Sequence, residues 1–100
     1  MIHRMVKYKV KEEKEAGVRQ AIDDFVSATK ENITEGVAIN IYAEKDGLTF
    51  YHISAFENEE LLKQHEDSAS LADFWEILYE SCESFSQFVE LNLVASINKY

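Results

Sequence analysis

Residues 2–10 alternate with a period of two: Ile2, Arg4, Val6, Tyr8 and Val10 fall on one side, His3, Met5, Lys7 and Lys9 on the other. An extended chain points successive side chains to opposite faces, so this run predicts a strand. The period then lengthens. Val18, Ile22, Phe25, Val26 and Thr29 recur at the spacing of one helical stripe over about residues 13–31. Two runs rich in Ile, Val and aromatics follow, Val37 to Glu44 and Leu48 to Glu57, joined through Lys45-Asp46-Gly47. Asp-Gly between β-rich runs is a hairpin signal. Asn58 is placed to cap a short helix with Glu59 and Glu60 at the positive end of its dipole. Ser70, with Asp73 three residues on, has the form of a capping box for a second one. Leu71, Phe74, Trp75, Leu78, Tyr79 and Cys82 make that helix's apolar stripe, and Val89, Leu91, Leu93, Ala95 and Ile97 predict a closing strand.

The predicted order is β-α-β-β-α-α-β, the split β-α-β arrangement of a ferredoxin-like α+β domain, an antiparallel sheet with helices on one face. Val6, Tyr8, Phe50 and Phe56 cannot share a single helix-covered face with Ile39, Ile41, Tyr51 and Ile53, so the other face would expose a large apolar patch. A second copy of the chain is expected to bury it. With no repeat, linker or Pro, the 100 residues read as one domain, 1–100.

Composition narrows the partners. Ten basic residues against nineteen acidic ones give a net charge of −9, which disfavours nucleic acid and anionic membranes. Five of the basic residues lie within the first fourteen positions, and the segment 57–90 is strongly acidic. This reads as a basic edge strand and a solvated acidic helical face, or as an electrostatic guide for docking. No stretch resembles a membrane span or a signal peptide. A lone Cys82 excludes an internal disulfide and fits a reducing, cytoplasmic setting.

The opening MIHRMVKYKVKEEKE, the hairpin EGVAINIYAEKDGLTFYHISAFENEE and the run LLKQHEDSASLADFWEIL together resemble the antibiotic biosynthesis monooxygenase family, over roughly residues 2–97. The resemblance implies a dimeric α+β barrel in which two ferredoxin-like chains pack sheet against sheet. The family includes cofactor-free oxygenases of aromatic phenols or hydroquinones, haem-degrading members and members that process a small signalling sugar. It implies a ligand between the sheet and the helices of one chain, with a Trp at the end of the third strand; here Phe56 stands there. His52 lies four residues back on the same face, and His65 matches a His often seen in the helical segment. The places of the haem-degrading Asn and His are held by Val6 and Trp75, which speaks against haem degradation.

Oxygenation without metal or flavin needs a substrate that can lose a proton to become a phenolate or enolate, together with a pocket that binds a flat ring and excludes water. His52 and His65 are the catalytic candidates, because imidazole titrates close to neutrality. Phe56, Phe74 and Trp75 are the candidate wall, and Tyr42 a candidate phenolic donor from the sheet. Each also has a plainer reading: His52 packed under a helix, His65 tying a short helix to the sheet, and the aromatics as core. No short-spaced His pair or Gly-rich phosphate loop is present, so no metal and no nucleotide cofactor are expected. Cys82 reads as a small hydrophobe. The expectation is a cofactor-independent monooxygenase for a hydroquinone-like or polyphenolic molecule. The alternative is a non-catalytic dimeric barrel that binds a small apolar ligand or serves a stress response.

Overall fold

Strand β1 (Ile2–Val10) runs through the middle of a five-stranded antiparallel sheet in a computed structural model that describes residues 1–85 and 88–98. Strand β3 (Thr49–Phe56) pairs along one side of β1, from Ile2 opposite Phe56 to Lys9 opposite Thr49, and β2 (Val37–Ala43) pairs outside β3. Two short strands share the other side of β1: β4 (Cys82–Phe85) lies against Tyr8–Val10, and β5 (Val89–Leu91) against His3–Met5. The basic first strand is therefore central, and the edge-strand reading of its lysines does not hold. Lys7 and Lys9 stand on the open face, beside Tyr51 and Thr49 in the ladder.

Helix α1 (Glu15–Asn32) follows a 3-10 turn over Glu12–Lys14, and α2 (Glu59–Glu66) and α3 (Ala69–Ser81) follow β3. Val18, Ala21 and Phe25 of α1 and Leu71, Phe74 and Leu78 of α3 close over Tyr8, Val10 and Phe50, forming the core. The hairpin loop turns at Gly47, whose φ of +73° is open to glycine without strain. Asp46 accepts hydrogen bonds from the Leu48 and Thr49 amides and the Thr49 hydroxyl, which hold its carboxyl below the usual range. Asn58 caps α2 as expected, its Oδ1 accepting from the Leu61 amide. The cap of α3 is Ser68, whose Oγ accepts from the Leu71 amide, so Ser70 lies inside the helix and its pairing with Asp73 is not the cap. The helix ends at Ser81, with Cys82 extended. Tyr79 is 71% exposed and stands off the buried stripe. Ile39 and Ile41 sit opposite Ser54 and His52, so they belong to the helix-covered face and not to the open one.

The closing strand is also shorter than its pattern. Pairing of Leu91 with His3 and Glu90 with Arg4 uses up β1 near its first paired residue, Ile2. Residues 92–98 pass beyond that point and form no strand; Val94 is 96% and Ile97 97% exposed. Their alternation is a strand pattern with no ladder to join inside the chain. Among the described residues no helix is long and apolar enough to cross a membrane.

Candidate functional site

Antiparallel pairing brings the even-numbered residues of β1 and β3 to one face, the one under the helices. Val6 lies opposite His52 and Tyr8 opposite Phe50, which makes Tyr8 a diagonal neighbour of His52. The Tyr8 hydroxyl lies 2.7 Å from His52 Nε2. Tyr8 is 1% and His52 7% exposed. Aromatic rings enclose the imidazole, with centroids 5.3 Å away at Phe74, 6.1 Å at Trp75 and 6.4 Å at Phe25. His65 reaches in from α2, 5.4 Å from Phe56 and 6.0 Å from Phe25.

Burial sets the protonation states. It lowers His52 to about 4, with the nearby His65 adding to the effect. It also pushes the Tyr8 phenol up, aided by Cys82. Tyr8 therefore keeps its proton and His52 is neutral at pH 7. With the imidazole proton on Nδ1 the phenol donates to Nε2; with it on Nε2 the ring donates to the phenol oxygen. Burial lowers His65 too; Glu66 pulls it back up and Arg4 pushes it down.

His52 and His65 both line a cavity of about 110 Å³, together with Arg4, Glu66, Trp75 and Phe88. Arg4 Cζ lies 4.2 Å over the Phe88 ring, and Arg4 Nη1 lies 3.6 Å from Glu66 Oε1. Phe88 also packs edge-on to Trp75 at 5.4 Å. His65 further lines a second cavity, of about 250 Å³, between the end of α1 and the start of α3. A larger cleft, about 650 Å³, runs between α1 and β2 over Ile22, Val26 and Ile41. It contains no histidine, and its charged residues, Arg19, Asp23 and Lys30, lie on α1. The histidine chamber is the place where ionisable and aromatic groups converge.

The structure thus brings together His52, His65, Phe56, Phe74 and Trp75. Tyr42 is not among them: it pairs with Tyr51, shares the open face and is 54% exposed. Three members of the chamber carry no local signal in the sequence. Tyr8 and Arg4 follow once β1 is known to pair with β3 in this register. Phe88 immediately precedes β5 and carries no sequence signal. Among the described residues no cluster of three or more His, Cys, Asp or Glu could hold a metal ion. Cys82 is half-buried beside the core, and burial raises its thiol.

The sequence profile of the antibiotic biosynthesis monooxygenase family matches residues 1–77, a span that holds Arg4, Tyr8, His52, His65 and Trp75. No curated protein sequence matches the chain. Among solved structures, an antibiotic biosynthesis monooxygenase is 13% identical with a TM-score of 0.82, over 95% of this chain and 100% of the other. The protein Rv0793 from Mycobacterium tuberculosis is 12% identical with a TM-score of 0.80, over 97% and 98%. A conserved protein from Methanosarcina mazei Go1 is 20% identical with a TM-score of 0.77, over 90% and 89%. At such identities the likeness is one of fold.

Proposed function

The chain belongs to the antibiotic biosynthesis monooxygenase family, and from that premise we propose that it is a cofactor-independent monooxygenase for a hydroquinone-like or polyphenolic small molecule. The observation that carries the reading is the neutral His52–Tyr8 pair beside His65 in an aromatic chamber. A hydroquinone that loses a hydroxyl proton can pass one electron to O₂. The ring radical and superoxide then join at a ring carbon, forming a C–O bond. The O–O bond breaks; one oxygen stays on the ring and the other leaves as water with two substrate hydrogens. In net terms a hydroquinone and O₂ give a hydroxyquinone and water.

The two histidines have different parts in this reading. A base whose conjugate acid titrates near 4 would take a proton from a phenol of about 10 at a cost of about 8 kcal/mol. His52 is therefore the hydrogen-bond donor, held by Tyr8, and His65 accepts the proton. Oxygen uptake by metal-stripped protein across hydroquinones and polyphenols, with autoxidation subtracted, tests the proposal. Saturable uptake that falls at least about tenfold in His52→Ala and His65→Ala is expected, a loss of about 1.4 kcal/mol or more in transition-state stabilisation. Unchanged turnover in the double variant removes both from the mechanism.

The weak basicity of His52 favours a second reading, a barrel that binds a small apolar ligand without changing it. A compound that raises the melting temperature and is recovered unaltered, without oxygen uptake, would support that reading.

Both readings include a homodimer formed through the open sheet face. Met5, Tyr42, Tyr51, Ile53, Val89 and Leu91 share that face, and Leu93, Val94 and Ile97 after β5 are exposed as well. An apolar surface of this kind is ordinarily covered. Sedimentation as a monomer at micromolar concentration would remove the dimer.

A further inference from the structure

Arg4 is the cation of the chamber. It sits on the helix-covered face of β1 opposite Ser54, two residues from the Val6–His52 pair, and its side chain is only 18% exposed. A guanidinium offers five donors in a planar fork suited to oxygen anions. Its ion-pair partner here, Glu66, is 3.6 Å away and half-exposed, longer than the 2.7–2.9 Å or so of a charge-assisted hydrogen bond. Arg4 Cζ lies over the Phe88 ring, and the other titratable groups lining the cavity are His52 and His65, both neutral. The chamber therefore holds one positive charge with a loose counter-ion and no strong base.

Resting on the monooxygenase reading above, we propose that Arg4 is the specificity-determining residue that holds the substrate's ionised hydroxyl, and that the molecules taken are single-ring phenols which bind as phenolates. Size limits the class. A cavity of about 110 Å³ is smaller than the ~150 Å³ that accepts benzene, so it takes one ring at most and excludes a fused polycycle. Charge selects within it. The phenolate displaces the Glu66 carboxylate from Arg4, and the proton leaves to solvent or to His65. Arg4 thereby supplies the ionisation that His52 is too weakly basic to bring about.

The test uses 4-nitrophenol and 4-nitrocatechol, whose phenolates are coloured, titrated anaerobically against the full chain. The hydroxyl of the bound probe is expected to ionise at a lower pH than the free one, with the apparent pKa lower by about one or more, a tenfold or greater preference for phenolate. Arg4→Gln abolishes that displacement and weakens binding at least about tenfold; Arg4→Lys, which keeps the charge, restores part of both. Glu66→Gln, which removes the competing anion, tightens binding. An unshifted bound probe, equal binding by Arg4→Gln, or no binding of either probe by the wild-type chain overturns the proposal. Oxygen uptake is read separately. A shifted probe without uptake leaves Arg4 in place and removes the monooxygenase; uptake with unchanged KM in Arg4→Gln does the reverse.

Discussion

The same strands present two different surfaces. Toward the helices, Val6, Tyr8, Val10, Phe50, His52 and Phe56 are all buried, and two of the six carry polar groups that satisfy one another. Toward the open side, His3, Met5, Lys7, Lys9, Tyr51 and Ile53 mix apolar and charged side chains at partial or full exposure. One face has excluded water and thereby altered the acid–base chemistry of its residues. The other sets lysines beside an apolar area that a partner could cover. A one-residue step along β1 separates the two, because pleating sends neighbours to opposite sides.

The sharpest contrast is in packing. Phe74 stacks on Phe25 at 5.0 Å and on His52 at 5.3 Å. Phe74→Ala is expected to cost about 3–5 kcal/mol in denaturant unfolding and to open the chamber to water. A cost below about 1 kcal/mol would mean that the helix-covered face is not the core.

Acid comes next. His52 titrates at about 4 when folded against about 6.5 when unfolded, so the unfolded chain binds the proton first as pH falls. The stabilisation is complete above pH ~6.5 and is lost as pH drops toward 4, up to about 3 kcal/mol. His65 is lowered in the same direction and adds to it. Unfolding free energies measured between pH 7 and pH 4 should fall along this course, and the fall should flatten in His52→Phe. An equal fall in that variant would assign acid sensitivity to His65 and the carboxylates instead.

Tyr8→Phe removes one hydroxyl and leaves His52 Nε2 buried without its hydrogen-bond partner. The expected cost is about 1–3 kcal/mol. The freed imidazole should titrate differently by NMR. An unchanged His52 titration would show that the two groups do not act as a pair.

What the sequence made legible follows from how far each signal reaches. Period-two and helical spacings are local, so β1, α1, the hairpin and α2 could be placed from their own residues. Asn58 was readable as a cap for the same reason. Ser68 and Ser70 compete for one role within a single turn, and the chain's path decides between them. The closing segment misled because its alternation from Val89 to Ile97 reports a capacity to pair, while β1 offers partners only as far as Leu91 and Glu90 require. At the site, His52, His65 and the aromatic wall were readable as residue types on predicted faces. Tyr8 and Arg4 needed the non-local register of β1 against β3, which no short pattern carries. The same register puts Ile39 and Ile41 under the helices and β1 at the centre of the sheet, neither of which a local pattern encodes.

The smallest effect probes the open face. Lys9 is one residue from Tyr8 and pairs with Glu83 at 3.7 Å, both side chains about half-exposed. In a free surface Lys9→Ala should change stability by no more than about 0.5 kcal/mol, because an exposed ion pair gains little beyond its entropy cost and is screened by salt. That change should also be the same at every protein concentration. If a second chain covers this face, folding is linked to association and the melting temperature of both wild type and variant rises with concentration. Lys9→Ala then alters that slope while Tyr8→Phe, a residue away but under the helices, lowers stability without altering it. Equal slopes in both variants would mean that the boundary between the two faces does not separate chemistry from assembly.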